Sequence, residues 1–128
     1  MTPKDLRDRT KRFAIECIKL CRTLPTTVDG RRVGQQLIDS STSVAANYRA
    51  ACRGRSRAEF IAKLGTVLEE SDESLFWLEL MVDSGLVTKS RAEALRKEAD
   101  ELTAIFTTSV KTAKAKSALP PINHQSTF

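Results

Sequence analysis

Apolar and small side chains recur at alternating intervals of three and four residues along most of this chain, the spacing that lines one face of an α-helix. No segment alternates polar and apolar residues one by one, as a half-buried strand would. The pattern predicts four helices, over residues 3–24, 29–53, 57–84 and 89–116. Four helices of similar length joined by short loops indicate an all-α fold, an antiparallel up-down-up-down four-helix bundle.

Local signals mark where the predicted helices begin and end. Pro25 ends the first helix, because a proline ring disfavours helical geometry at the residue before it. Asp29 is the predicted N-cap of the second helix. Ser56 and Glu59 match a capping box at the start of the third helix, in which the serine oxygen accepts a backbone N–H and the glutamate bonds back. Gly85 is the residue predicted just past the end of that helix.

A length of 128 residues is enough for one domain with its own core. Residues 1–116 are assigned to the bundle, and residues 117–128 are expected to form a disordered tail because Pro120 and Pro121 end helical potential. No apolar run approaches the ~20 residues that span a bilayer. The charged N-terminus is not followed by the apolar core of a signal peptide. We therefore expect a cytoplasmic protein with no membrane segment.

The sequence offers little for catalysis. We interpret Cys17, Cys21 and Cys52 as small buried hydrophobes, because a metal site would need a further ligand and the only histidine is His124. The carboxylates of the third helix lack the paired histidines of di-metal bundles, and we interpret them as a solvated face that could pair with the basic half of a neighbouring copy; they are Glu69, Glu70, Asp72 and Glu73. No nucleophile–base pair or phosphate-binding glycine loop is present. We expect no enzymatic activity, metal or cofactor.

Charge is distributed unevenly along the chain. The sequence has 21 Lys and Arg against 16 Asp and Glu, a net charge of +5. Residues 1–63 hold 14 basic against 6 acidic side chains, whereas residues 64–110 hold 4 against 10. Such an asymmetry indicates either a polyanionic partner or the opposite half of another copy.

The basic side chains are densest around the second loop, where they either form a solvated surface or bind phosphates. They are Arg49, Arg53, Arg55, Arg57 and Lys63. Aromatic residues are not interleaved with these cations as in RNA-recognition motifs. We therefore expect phosphate contacts rather than base-specific reading.

Two pairs of neighbouring residues stand out on the predicted helices. Asn47 and Tyr48 lie in a small, apolar stretch, and we interpret them as a buried hydrogen-bonded pair that fixes helix register, with a ligand pocket as the alternative. Phe76 and Trp77 are adjacent and so point about 100° apart. One should pack inside while the other faces a second surface, and Trp77 is the predicted anchor of an oligomer interface.

A more specific pattern runs from residue 36 to residue 80. It comprises Gln36, Leu37, Ser41, Ser43, Val44, Ala46, Asn47, Tyr48, Arg49, Arg55, Ser56, Glu59, Phe60, Lys63, Leu64, Glu70, Glu73, Ser74, Trp77 and Leu78. Through these residues the chain resembles the four-helix-bundle proteins of the 23S rRNA intervening-sequence family, first noted as reading frames within 23S rRNA genes. It departs from them at residues 50–52, where many relatives carry a glutamate and then a glycine.

The resemblance implies an assembly as well as a fold. The family is itself similar to the accessory bundle proteins of diversity-generating retroelements, which form pentameric barrels and bind nucleic acid. The resemblance therefore implies a ring-shaped homo-oligomer, a pentamer, with a role on RNA or DNA. It implies no biochemical activity. Two hypotheses follow: a non-enzymatic scaffold that binds nucleic acid through its basic patch, or a structural adaptor that binds a protein partner and uses its charges for self-assembly.

Overall fold

The computed structural model describes residues 1–118, which form four α-helices and no strand. Helix α1 spans Pro3–Cys21, α2 Val28–Cys52, α3 Arg57–Asp83 and α4 Lys89–Ala118. The predicted all-α fold is therefore confirmed. The disordered tail was predicted from residue 117, but α4 continues through residue 118, and the remainder of that prediction lies outside the described residues.

The first loop differs from the prediction at both of its ends. Helix α1 ends at Cys21 rather than Leu24, because the chain tightens into i→i+3 turns ahead of Pro25, where the Leu24 amide donates to the Cys21 carbonyl at 3.2 Å. The N-cap of α2 is Thr27 and not Asp29: the threonine hydroxyl accepts from the Gly30 amide at 3.2 Å.

The other helix ends follow the predicted signals more closely. The Ser56 hydroxyl accepts from the Glu59 amide at 3.1 Å at the start of α3, which is the serine half of the predicted box. A complete capping box, formed by Thr2 and Asp5, begins α1. Gly85 ends α3 with φ +79, a conformation that glycine adopts without a Cβ penalty.

Contacts between helices establish the antiparallel order. Gly34, early in α2, accepts from Cys21 at the end of α1, with 3.5 Å between sulfur and oxygen. The hydroxyls of Ser40 and Ser74 hydrogen-bond at 2.9 Å between α2 and α3. Each helix packs on the next, and α1 also packs on α4. The start of α1, the end of α2, the start of α3 and the end of α4 consequently lie together at one end of the bundle.

The core is formed by apolar side chains from all four helices. Its largest members bury their side chains almost completely; they are Phe13, Leu37, Leu64, Leu78, Met81, Leu102 and Phe106. Burial of this apolar surface is the main driving force for the fold. Helix α2 contributes small residues, and a Cβ built at Gly34 would lie 3.0 Å from a Leu24 methyl carbon, so this glycine permits the close approach of the chain after α1. None of the helices in residues 1–118 is long and apolar enough to cross a membrane.

Candidate nucleic-acid interface

The loop between α2 and α3 carries the cations that the sequence singled out. Arg49 lies in the last turn of α2, Arg53 is the C-cap residue, and Arg55 is in the loop. All three side chains are exposed, whereas Arg57 and Lys63, at the start of α3, are half-buried. Within residues 1–118 no ion pair involves the three exposed arginines. Their charges are therefore available to a ligand.

Antiparallel packing adds cations from two segments that are distant in sequence. Arg7 and Lys11 of α1 line one groove together with Arg49 of α2. On the other side of the bundle, Lys116 of α4 lines a second groove together with Arg57 of α3. Cations from all four helices thus meet at the same end of the molecule.

We call this region, residues 3–12, 45–63 and 108–118, the basic end. It holds 13 Lys and Arg against 3 Asp and Glu, whereas the rest of the described chain holds 8 against 13. Of the three acids, Asp8 pairs with Lys4 at 2.8 Å and Asp5 caps α1. The cap bonds from Thr2 lower the pKa of Asp5, so this carboxylate stays ionised within the helix terminus. The basic end therefore has a net positive charge, which attracts polyanions.

Sequence reasoning missed more than half of this surface. It named the cations of the loop but not those contributed by the start of α1 and the end of α4, which are Lys4, Arg7, Arg9, Lys11, Arg12, Lys111, Lys114 and Lys116. The predicted up-down topology contained the necessary signal, because it brings the starts of the first and third helices together with the ends of the second and fourth. Counting charges along the chain, rather than around the predicted bundle, hides this cluster.

Two grooves open at the basic end. The α1–α2 groove is lined by three alanines together with three cations and one acid; its lining is Arg7, Asp8, Lys11, Ala14, Ile15, Thr42, Ala45, Ala46 and Arg49. The α3–α4 groove has a volume of about 260 Å³ and combines apolar, hydroxyl and cationic side chains; its lining is Arg57, Phe60, Leu64, Thr108, Ser109, Thr112, Ala113 and Lys116.

Acidic residues dominate the remaining surface. Burial and then the neighbouring Glu73, Glu69 and Asp39 raise the pKa of Glu70 above its usual range, a sign of crowded negative charge between α2 and α3. Acids of the remaining surface also pair with one cation of the basic end: Arg9 binds Glu98 through two hydrogen bonds of 2.7 Å and Glu101 at 3.1 Å, which ties α1 to α4.

Asn47 and Tyr48 do not form the pair that the sequence suggested. The Asn47 amide donates to the carbonyl and the hydroxyl of Ser43, both at 2.9 Å, within its own helix. The Tyr48 ring is buried and packs on Phe106 of α4, with 5.4 Å between ring centroids. Burial, followed by the influence of Cys52, raises the pKa of Tyr48. Tyr48 thus belongs to the core, and a buried polar contact between α2 and α3 is made instead by the hydroxyls of Ser40 and Ser74.

Phe76 and Trp77 face apart as predicted, but the residue that faces outward is Phe76 and not Trp77, the predicted interface anchor. Trp77 packs against the core and buries its indole Nε1, which has no hydrogen-bond partner within residues 1–118. Phe76 is 52% exposed, with its ring 4.9 Å from that of Trp77 in an edge-on arrangement. Asp72, Glu73 and Glu79 are exposed one turn away on the same helix. The outward aromatic residue is therefore Phe76, set on an acidic ridge.

The cysteines lie inside the bundle to different depths. Cys17 is fully buried, and Cys21 and Cys52 are half-buried. Burial raises the pKa of the Cys17 thiol and raises that of Cys21 to about 11, so both are protonated at neutral pH. Among residues 1–118, no three His, Cys, Asp or Glu side chains are grouped so that they could hold a metal ion.

The fold and the site together define a small antiparallel helical bundle with one strongly basic end. The sequence model of the family described as 23S rRNA-intervening sequence protein matches residues 5–108. The chain belongs to this family, as the pattern between residues 36 and 80 suggested.

A solved structure supports the same assignment. The chain is similar to a protein of unknown function of the S23 ribosomal protein family from Bacteroides thetaiotaomicron, with 29% sequence identity and a TM-score of 0.76. The similarity covers 87% of this chain and 99% of the other. A comparison with the curated proteins finds no match.

Proposed function

We propose that this chain is a non-enzymatic, homo-oligomeric scaffold that binds RNA or DNA through the basic end, chiefly by phosphate contacts. The observation that carries the proposal is the gathering of 13 cations and only 3 acids on one end of a bundle that otherwise has excess acid. Arginine presents forked donors that match phosphate oxygens, and release of counterions favours the complex at low salt. The protein family was first noted within 23S rRNA genes, which agrees with a partner of this class.

The salt dependence of binding tests the proposal directly. Anisotropy of a labelled RNA or DNA strand reports affinity as salt is raised. A site that contacts about six phosphates loses roughly a thousandfold in affinity between about 50 and 200 mM salt. Undetectable binding at low salt, or an affinity that salt does not change, would contradict the proposal.

A matched pair of charge reversals locates the site. Arg53→Glu with Arg55→Glu changes two exposed arginines of the basic end, and Arg31→Glu with Arg32→Glu makes the same change at the start of α2. The first pair is expected to lower the slope of log affinity against log salt by about one for each phosphate that the variant no longer neutralises. The second pair is expected to leave the slope unchanged. Equal losses of affinity in the two variants would show that only net charge matters.

A second candidate function is a structural adaptor for a protein partner, and the exposed Phe76 favours the self-assembly that this alternative requires. In this alternative the charges serve self-assembly, and the acidic ridge around Phe76 docks into the α1–α2 groove of a neighbouring copy. Lys11 and Arg49 of that groove pair with the acids, and Ile15, which is 42% exposed, offers an apolar contact. Such a contact joins two different surfaces and closes into a ring when the rotation permits. The resemblance to the intervening-sequence family implies five subunits.

Mixing two variants tests the assembly proposal. Phe76→Asp disables the ridge, and Lys11→Glu with Arg49→Glu disables the groove. Each variant alone should scatter light as a monomer of 14.2 kDa, whereas an equimolar mixture should form dimers and nothing larger, because one intact interface remains. A monomeric wild type, or a mixture that does not dimerise, would overturn it. Assembly without any binding of nucleic acid would favour the adaptor over the scaffold.

A further inference from the structure

The α3–α4 groove differs from the rest of the basic end because it is not simply charged. Leu64 and Ala113 are buried at its floor, and the half-buried Phe60 forms part of its α3 side. Hydroxyls of α4 stand along the other side, and a cation from each helix lies at the rim. A bare phosphate would use the cations but would make no contact with the apolar floor.

The chemistry of the lining indicates a ligand with two parts. The cations at the rim complement an anion, and the apolar floor beside an aromatic ring suits a flat, weakly polar group whose edge can bond to hydroxyls. The volume of about 260 Å³ lies just below the range of about 300–1,000 Å³ typical of pockets for whole small molecules, so one ring system fits better than a complete cofactor. A nucleobase joined to its phosphate has both parts.

We propose that the α3–α4 groove takes one unpaired base of a single-stranded or bulged nucleic acid, while the surrounding cations hold the flanking phosphates. The inference rests on the proposed function and narrows its ligand, because a base inside a continuous duplex is stacked and cannot enter a groove of the protein. Recognition is by stacking and shape, which every base can satisfy, so it requires no sequence code.

Three ligands of equal phosphate number separate base docking from phosphate binding: a single strand, the same strand with abasic sites throughout, and a blunt duplex. The wild type should bind the single strand about tenfold or more tighter than the abasic strand, because stacking of a base on an aromatic side chain adds to affinity by that order. The duplex should bind no better than the abasic strand.

A groove-filling substitution assigns the difference to this site. Thr112→Leu adds an apolar branch on an exposed position of the α3–α4 groove without changing charge, and Ala94→Leu makes the matched change in a groove at the other end of α4. Thr112→Leu should abolish the preference for the strand with bases and leave abasic binding unchanged, whereas Ala94→Leu should alter neither.

The outcomes distinguish this inference from the proposed function. Equal affinity of the wild type for the normal and abasic strands overturns base docking and leaves phosphate binding intact. If Thr112→Leu still binds the normal strand more tightly than the abasic strand, the assignment of base docking to this groove is overturned. Failure to bind any of the three ligands at low salt overturns both proposals together.

Discussion

The two ends of the bundle are built from similar packing but differ in charge. At the basic end, cations outnumber acids and the exposed arginines of the loop have no ion-pair partner within residues 1–118. In the rest of the described chain, acids outnumber cations by 13 to 8, and Arg96 pairs with Glu93 at 2.9 Å. Surface charges contribute little to stability, and like charges repel, so the fold gains nothing from gathering cations. The difference between the ends therefore supports the proposal of a partner that carries negative charge.

The largest expected effect compares the core beside the basic end with the exposed ridge around Phe76. Phe106→Ala removes a fully buried ring that packs on Tyr48. It should lower the free energy of unfolding by about 3–5 kcal/mol, measured by urea denaturation. Phe76→Ala is the matched control on the exposed ridge, and should cost about 1 kcal/mol through its contact with Trp77. Similar reductions in the free energy of unfolding at the two sites would contradict the assigned burial.

Alkaline pH should lower the free energy of unfolding through the two cysteine thiols of α1, Cys17 and Cys21. Because burial raises the pKa of Cys17 and Cys21 in the folded chain, their contribution to stability is complete below about pH 8.5 and is lost as the pH rises toward 11. The free energy of unfolding should fall by about 1.4 kcal/mol per pH unit for a thiol that stays protonated, and by less for the half-buried Cys21. Cys17→Ala should flatten this dependence, whatever it does to stability at neutral pH. An unchanged slope would refute the assignment.

The smallest effect compares glycines near the two ends. A Cβ at Gly65 of α3 would meet nothing within 4 Å, so Gly65→Ala should raise the free energy of unfolding by up to about 1 kcal/mol through helix propensity. A Cβ at Gly30 would lie 2.2 Å from the Pro25 carbonyl oxygen, so Gly30→Ala should destabilise instead. Thermal denaturation should give a higher melting temperature for Gly65→Ala than for the wild type, and a lower one for Gly30→Ala. Loss of stability or of assembly in Gly65→Ala would indicate that a neighbouring chain packs on α3 there.

Much of the fold could be predicted from the sequence because helix periodicity and end signals are local. Leu37, Val44 and Tyr48, at intervals of seven and four residues, are buried as helix periodicity predicts, and Gly85 ends α3 at the predicted residue. The prediction of Asp29 as the N-cap of α2 was wrong, because the cap is the residue that takes the extended conformation, and in the structure that residue is Thr27.

The candidate site was less accessible to sequence reasoning because it depends on which residues meet in space. The loop arginines were found, but Lys111, Lys114 and Lys116 join them only through the antiparallel return of α4. Likewise, the sequence shows that Phe76 and Trp77 diverge, but which one faces out depends on where α2 and α4 contact α3. The grooves depend on side-chain packing between helices and have no signal in the sequence.

Lysine footprinting of the unmodified protein tests the central claim most directly, because lysines occur at both ends. Six lie at the basic end, namely Lys4, Lys11, Lys63, Lys111, Lys114 and Lys116, and three lie elsewhere, namely Lys19, Lys89 and Lys97. Acetylation with and without a short RNA strand, read by mass spectrometry, should show protection of the first group that disappears as salt is raised. Protection of Lys19, Lys89 and Lys97 to the same degree, or of no lysine at low salt, would contradict the assignment of the basic end as the nucleic-acid interface.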